Sequence, residues 1–227
     1  MKVYGLVPAY NEGKNISEVV RRLRKTGIVP VVIDDASRDD TYAQAKRTGA
    51  VVLRHRRNGG KAEAIKTGLK FLSKKKFDYV VFIDADLQYL PEEAPRLLGP
   101  LKSGQADFVA GYRDFSKVPF LRHRMGNFVW KTSFNVLFGT RFKDTNCGFV
   151  AMNKRAAAII SKKLYGGYIL ENSMFIQVLK NNLRSQQVEV TVKYHRSSEV
   201  KRGIRVVAGV SFHILKEGVK HRLGMRG

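Results

Sequence analysis

The sequence predicts an α/β protein: a mostly parallel sheet with helices on both faces. Three observations lead there. Short apolar runs alternate with helix-like stretches through the first half of the chain. Polar clusters recur just beyond those runs, where open parallel sheets bind their ligands. With 227 residues and 44% hydrophobic content, the chain can enclose one substantial core.

The elements follow in order. Residues 3–7 form the first strand. Asn15-Ile16-Ser17-Glu18 has the form of a capping box, Val19, Val20 and Leu23 follow at helical spacing, and Gly27 is the stop. Residues 29–33 form strand two and end in Asp34-Asp35. Asp39 or Asp40 caps a short helix that stops at Gly49, and residues 51–53 form strand three. A helix over 61–72 puts Ile65, Leu69 and Leu72 on one face. Strand four, 79–83, runs into Asp84. Pro91 suits the first turn of the next helix, and strand five covers 108–110. Beyond it the pattern is less regular. Helices are expected over 120–138, 153–163 and 170–181, a strand over 188–192, and a basic amphipathic helix over 203–223. No repeat or linker divides the chain.

The formal net charge is +23. Such an excess calls for a polyanionic partner: nucleic acid, an anionic membrane surface or phosphorylated substrates. One cysteine, Cys147, excludes an internal disulfide framework and fits a reducing compartment. Residues 1–13 do not read as a signal peptide, and the longest candidate span, 203–215, is interrupted by Arg205 and His213. A cytoplasmic protein without a transmembrane segment is expected.

Four clusters carry the chemistry. Asp84-Ala85-Asp86-Leu87-Gln88 follows a buried strand. In an extended chain, residues two apart point the same way, so Asp84, Asp86 and Gln88 would present hard oxygen ligands to a divalent cation. The aspartates could instead only cap the next helix. Pro8-Ala9-Tyr10-Asn11-Glu12 lacks the glycines of a dinucleotide fingerprint. Tyr10 could stack on a base and Glu12 accept from a base or ribose, unless this is a plain surface turn. Asp34 and Asp35 point to opposite sides, so one of them faces the ligand crevice. Asn58-Gly59-Gly60-Lys61 opens a helix. Its backbone N–H groups and Lys61 could approach phosphate, or it is a turn with a solvated lysine.

Taken in order, these four motifs resemble family-2 glycosyltransferases. Gln88, Gly111-Tyr112-Arg113 and Asp144-Thr145-Asn146-Cys147-Gly148-Phe149 resemble the polyprenyl-phosphate branch, which is dolichol-phosphate mannose synthase-like. The resemblance covers about the first two-thirds of the chain. It implies a GT-A fold, with a nucleotide-sugar-binding half over 1–113 and an acceptor and membrane-surface half over 114–227. It implies inverting transfer of a sugar, mannose or glucose, from a GDP- or UDP-linked donor to a polyprenyl phosphate. Pro8, Ala9, Tyr10, Glu12, Ile33, Asp35, Lys61, Asp84, Ala85 and Asp86 would surround the donor. Asp84, Asp86 and Gln88 would hold Mg2+ or Mn2+. Arg113 would lie near the sugar or acceptor phosphate. Arg196 and Lys201 would meet donor phosphates, although their segment lacks the family's glycine spacing.

Two departures bear on the acceptor. The Gln-x-x-Arg-Trp motif of processive polysaccharide synthases is absent. The Glu-Asp pair that often supplies a base is Glu171-Asn172 here. A hydroxyl acceptor needs a base, whereas a phosphate is already anionic. The departure leans toward a lipid phosphate, and Glu171 is the one candidate base for a soluble or protein-linked hydroxyl.

Basic residues Lys117, Arg122, Arg124, Lys131, Arg141 and Lys143 interleave with Phe115, Phe120, Phe128, Trp130, Phe134 and Phe138. That pattern describes an interfacial helix, and Arg205, Lys216, Lys220 and Arg222 repeat the theme. A peripheral position on an anionic membrane face is expected, with a membrane-anchoring protein as a further partner. The same surface could be solvated charge over a core. A basic nucleic-acid-binding protein without catalysis is the alternative of another class, although no RNA-binding motif is present.

Overall fold

The computed structural model describes residues 1–115, 121–164, 166, 169–194 and 204–223, with backbone only at 121–123 and 204–208. Seven strands make one sheet: β1 (Val3–Ala9), β2 (Val29–Asp34), β3 (Val51–Arg54), β4 (Tyr79–Phe82), β5 (Phe108–Tyr112), β6 (Val150–Asn153) and β7 (Ser185–Glu189). Their order is β3-β2-β1-β4-β6-β5-β7. All neighbours are parallel except β6, which runs antiparallel to both β4 and β5. The expected mostly parallel sheet is therefore present.

Alternating strand residues feed two cores. Leu6, Val31, Ile33 and Val80 face one side, and Val7, Val32 and Val81 the other. The first side is covered by α3 (Lys61–Ser73), α5 (Leu121–Phe138), α6 (Lys154–Ile160), α7 (Leu170–Lys180) and α8 (Ile204–Arg222). The second is covered by α1 (Ile16–Lys25), α2 (Thr41–Arg47) and α4 (Ala94–Lys102). Helix α1 shows why pattern predicts burial: Ile16, Val19, Val20 and Leu23 are all fully buried. It ends before Gly27, whose φ is +79°. The strand order reverses around β1, which lies between β2 and β4. The loops leaving β1, β2 and β4 thus open on one crevice.

Several expectations need correction. The capping box at 15–18 does not form: the Asn15 amide donates to Glu12 Oε2 at 2.8 Å and makes no helix cap. Asp39, not Asp40, accepts the Thr41 N–H. Strand β4 stops at Phe82, and Leu87 has φ +59°, so 84–88 is a turn. Asp86 Oδ1 accepts the Gln88 N–H at 3.0 Å, which closes that turn. The two-apart argument for Asp84, Asp86 and Gln88 therefore does not apply. The last strand is 185–189 rather than 188–192, because pairing with β5 ends at Glu189. Strand β6 was not expected at all. Of the aromatics on α5, Trp130, Phe134 and Phe138 are core and only Phe128 is exposed. The exposed apolar side chains are instead Met125, Phe128, Val129 and Val136 on α5, and Phe212, Leu215 and Val219 on α8 with Leu223 just past its end.

Helices α5 and α8 pack as a pair. Trp130 Nε1 donates to Ser211 Oγ, and Arg222 donates to the carbonyls of Val136 and Leu137. Glu217 joins α8 to α7 by accepting Lys180 Nζ at 2.9 Å. No helix among the described residues is long and apolar enough to cross a membrane.

At the end of the sheet away from the crevice, Asp107 stitches three strands. Its carboxylate accepts from Arg184 N, Nε and Nη2 and from Asn153 Nδ2, ahead of β5 and at the edges of β7 and β6. The Arg184 bonds are the main reason its pKa falls from 3.8 to about 2. A depressed carboxylate stabilises the fold above its unfolded pKa, and that contribution disappears as pH falls through the folded value. Asp107→Asn is expected to flatten the pH dependence of stability between about pH 4 and pH 2, where the folded and unfolded pKa values bracket the loss. Acid titration of urea-unfolding midpoints checks it; an unchanged slope in that window contradicts it.

Candidate active site

The crevice is built by four loops, each fixed by the others. After β1, Asn11 adopts φ +56°, and its N–H donates to Ser37 Oγ while its Oδ1 accepts Arg38 N–H. Glu12 N–H donates to Thr41 Oγ1, and Gly13 N–H to Asp39 Oδ2. The loops after β1 and β2 are thereby sewn together, which accounts for the short polar residues of Asp34–Thr41.

The paired aspartates divide the work as alternation requires. Asp34 turns away, accepting Ser37 N–H and pairing with Arg54 Nε at 3.0 Å. Asp35 turns toward the glycine loop. Its Oδ1 accepts Gly59 N–H at 2.9 Å and meets His55 Nδ1 at 2.7 Å, and its Oδ2 accepts Gly60 N–H at 2.7 Å. His55 Nε2 in turn meets Thr67 Oγ1 at 2.8 Å. Gly60 takes φ +84° and ψ 167°, a region that essentially only glycine occupies. That conformation turns the loop into α3 and points Lys61 at the end of β4.

Lys61 is the centre of the charge arrangement. Its Nζ lies 2.6 Å from Asp84 Oδ1 and 3.0 Å from Glu171 Oε1. Burial lowers the pKa of this ammonium, but Asp84 and Glu171 outweigh burial and the net shift is upward. Asp86 instead accepts the Gln88 N–H at 3.0 Å. Burial, then the Asp84 charge, pushes its carboxyl up to about 6, against the Gln88 N–H. Burial also raises Glu12; the Asn15 amide opposes this, and the charges on Asp39 and Asp84 add to it. Gly148 forms the floor: a Cβ there would fall 2.6 Å from Asp84 Oδ2 and 2.7 Å from Lys61 Nζ.

A cleft of about 270 Å³ results, lined by Pro8, Ala9, Tyr10, Glu12, Asp35, Lys61, Ala64, Asp84, Ala85 and Asp86. Tyr10 stands at its lip, 42% exposed. Nine of these ten residues are among the expected donor-site residues. Ala64, one turn along α3 from Lys61, was not expected, and neither was the contact of Gly148 with Lys61 and Asp84. An i, i+3 reading from Lys61 would have found the first.

Other expected residues lie elsewhere. The Ile33 side chain is fully buried beside α3, so it does not line the cleft. Gln88 is not among the lining residues, and its N–H donates to Asp86. Arg113 is held by Asp144, with Nε–Oδ2 at 2.7 Å and Nη2–Oδ1 at 3.1 Å, and it stacks on Phe115 at 4.9 Å. Burial pulls its pKa down, but Asp144 outweighs this and holds it up. Asn172 is fully buried and donates to Asn146 Oδ1 at 2.8 Å. Arg196 and Lys201 lie outside the described residues.

The donor set fits a hard divalent cation. Two carboxylates share an open cleft, Asp86 is raised by burial and then by its like-charged neighbour, and glycine at 148 leaves Asp84 uncrowded. Among the described residues, no group of three or more His, Cys, Asp and Glu forms a cage. The chain therefore offers part of a coordination sphere, as cations bound with substrate phosphates require.

The comparisons agree with this architecture. The model of glycosyl transferase family 2 matches residues 6–165. The chain is 34% identical over 203 residues to an uncharacterised protein of Methanocaldococcus jannaschii, covering 84% of this chain and 87% of that one. It is 28% identical over 231 residues to the UDP-N-acetylglucosamine–dolichyl-phosphate N-acetylglucosaminyltransferase of Methanococcus voltae, covering 91% of each. It is 31% identical over 204 residues to the dolichol-phosphate mannosyltransferase of Pyrococcus furiosus, covering 84% of this chain and 55% of that protein. Among solved structures, glucosyl-3-phosphoglycerate synthase of Mycobacterium tuberculosis, in complex with Mn2+, UDP and phosphoglyceric acid, matches with a TM-score of 0.76 at 22% identity. It covers 100% of this chain and 80% of that one, a likeness of fold.

Proposed function

The chain belongs to glycosyl transferase family 2, and from that membership we propose that it moves a sugar, mannose or glucose, from a nucleotide diphosphate to a polyprenyl phosphate. The observation that carries this reading is the cleft in which Asp84, Asp86 and Lys61 meet the loops after β1 and β2. Relatives named for dolichyl-phosphate and undecaprenyl-phosphate transfer support the acceptor class. On this reading, residues 1–113 bind the donor and 114–227 serve the acceptor and the membrane.

Tyr10 at the lip and Pro8, Ala9 and Glu12 beside it would hold the nucleoside. Asp35 would act mainly on the Gly59-Gly60 turn, whose N–H groups already occupy both its oxygens, leaving one Oδ2 lone pair for a base N–H. Asp84 and Asp86, with Gln88 nearby, would hold Mg2+ or Mn2+. Such a cation neutralises charge developing on the leaving diphosphate. Lys61 would add a positive charge on the same phosphates, as would Arg196 and Lys201.

The acceptor step follows from what the chain lacks at one position. Asn172 cannot take a proton, and Glu171 is paired with Lys61. An anionic phosphate oxygen needs no base. It attacks the anomeric carbon as the bond to the donor's β-phosphate oxygen breaks and that oxygen takes the electron pair. Attack from the face opposite the leaving group inverts the anomeric centre. Arg113, fixed by Asp144, would orient the acceptor phosphate near this centre. The hydroxyl-acceptor reading would require Glu171 to leave Lys61 first.

The exposed Met125, Phe128, Val129 and Val136 on α5, with Phe212, Leu215 and Val219 on α8 and Leu223 just past it, would enter the lipid headgroup layer. Arg124, Lys131, Lys216, Lys220 and Arg222 flank them, each worth about 1 kcal/mol near an anionic surface. That would place the enzyme at a cytoplasmic membrane face, with or without an anchoring protein.

Two measurements check these claims. Incubating the protein with a radiolabelled nucleotide-sugar and polyprenyl phosphate should move label into the organic phase, a transfer that chelation stops. Asp86→Ala should lower the rate at least a hundredfold, on the order of what loss of a charge-stabilising group costs. Label found only in water-soluble glycan would sink the lipid acceptor, and full activity in Asp86→Ala would sink the metal assignment. Separately, the protein should float with vesicles containing anionic lipid, and Phe128→Ser with Phe212→Ser should largely abolish flotation. Equal flotation of that double variant contradicts the interfacial role.

A further inference from the structure

Lys61 stands in an unusual place for a phosphate-binding lysine. Its ammonium sits 2.6 Å from one carboxylate of the pair and 3.0 Å from Glu171 on α7. Three separate elements meet there: the first residue of α3, the turn after β4 and the first turn of α7. Gly148 closes the pair from below, where a Cβ would fall 2.6 Å from Asp84 Oδ2 and 2.7 Å from Lys61 Nζ. We propose that Lys61 is a resident counterion of the Asp84 carboxylate, which the divalent cation must displace on binding. This rests on the reading that Asp84 and Asp86 hold that cation.

Asp84, Asp86, Glu171 and Glu12 concentrate negative charge at the end of a buried strand. Like-charged carboxylates at that distance from bulk water need a neighbouring cation. Lys61 supplies it, and in doing so it uses Asp84 Oδ1, one of the oxygens a metal would take. A divalent cation on that oxygen would stand within a few ångströms of the ammonium, and their repulsion favours the lysine's departure. The exchange has a destination for the displaced ammonium. The Lys61 side chain is 31% exposed and lines the cleft, so its Nζ can swing to a diphosphate there. Metal and diphosphate then assist one another through the lysine: each favours the state in which Lys61 has left Asp84. Such coupling is reciprocal by thermodynamic necessity. The arrangement offsets part of the site's negative charge between turnovers and makes metal binding weak until a donor arrives.

Mn2+ binding tests this, read from the electron paramagnetic resonance of free Mn2+ with the full chain, alone and with GDP or UDP. In Lys61→Met, Mn2+ alone should bind about tenfold tighter than in the wild type, because a competing charge is gone. The strengthening that the nucleotide gives should shrink in that variant. Lys61→Gln, which removes the charge but keeps a polar side chain, should tighten Mn2+ likewise, and it carries the test if Lys61→Met does not fold by circular dichroism. Equal or weaker Mn2+ binding in the folded variant, with binding lost in Asp86→Asn, overturns the displacement and leaves the metal site intact. Unchanged Mn2+ binding in Asp86→Asn overturns the metal reading and the displacement with it.

Discussion

The ion triad of Asp84, Lys61 and Glu171 is the interaction on which the site depends. It lies where the carboxyl end of β4 meets the start of α3 and the start of α7. Each member alone would be a poorly solvated charge. Together they fix the mouth of the crevice between the two halves of the chain. The first half contributes Lys61 and Asp84, and the second contributes Glu171 and the Gly148 floor. The sheet makes this meeting possible. Strand β6 inserts antiparallel beside β4, which brings Gly148, just ahead of Val150, back to the carboxyl end of β4.

A second constraint sets the loop geometry. Asp35 gathers the N–H groups of Gly59 and Gly60 and a nitrogen of His55, so the glycine loop is held by a carboxylate rather than by its own turn. Charge-assisted bonds of this kind are the stronger class. The result is that α3 begins at a fixed point, and Lys61 with it. The position of α3 and the neutralisation of Asp84 are thus joined through one loop.

Much of this was legible in the sequence, for identifiable reasons. The parallel half announces itself because each strand is a buried apolar run that ends in polar residues. Nine of the ten cleft residues sit at those ends. What was illegible was local geometry. Val150–Asn153 is four residues without alternation, buried on both faces, so nothing separates it from a loop or helix start. Ser185–Glu189 is a polar edge strand, while Val190 and Val192 beyond it pack against the second core and Val192 pairs only in an isolated bridge to Tyr89. Asp84-Ala85-Asp86 reads as extended but turns at Leu87, a left-handed position with no glycine to mark it. The apolar residues of α5 could not be divided between core and surface without knowing where α8 lies.

The central claim is that the cleft binds a nucleoside diphosphate through a divalent cation held by Asp84 and Asp86. The most direct measurement is thermal unfolding with nucleoside diphosphate and Mn2+, separately and together. Ligands that bind only the folded state raise its melting temperature. The account predicts a rise with both that exceeds the sum of the separate rises. A nucleotide that stabilises the protein equally with Mn2+ and with chelator would contradict it.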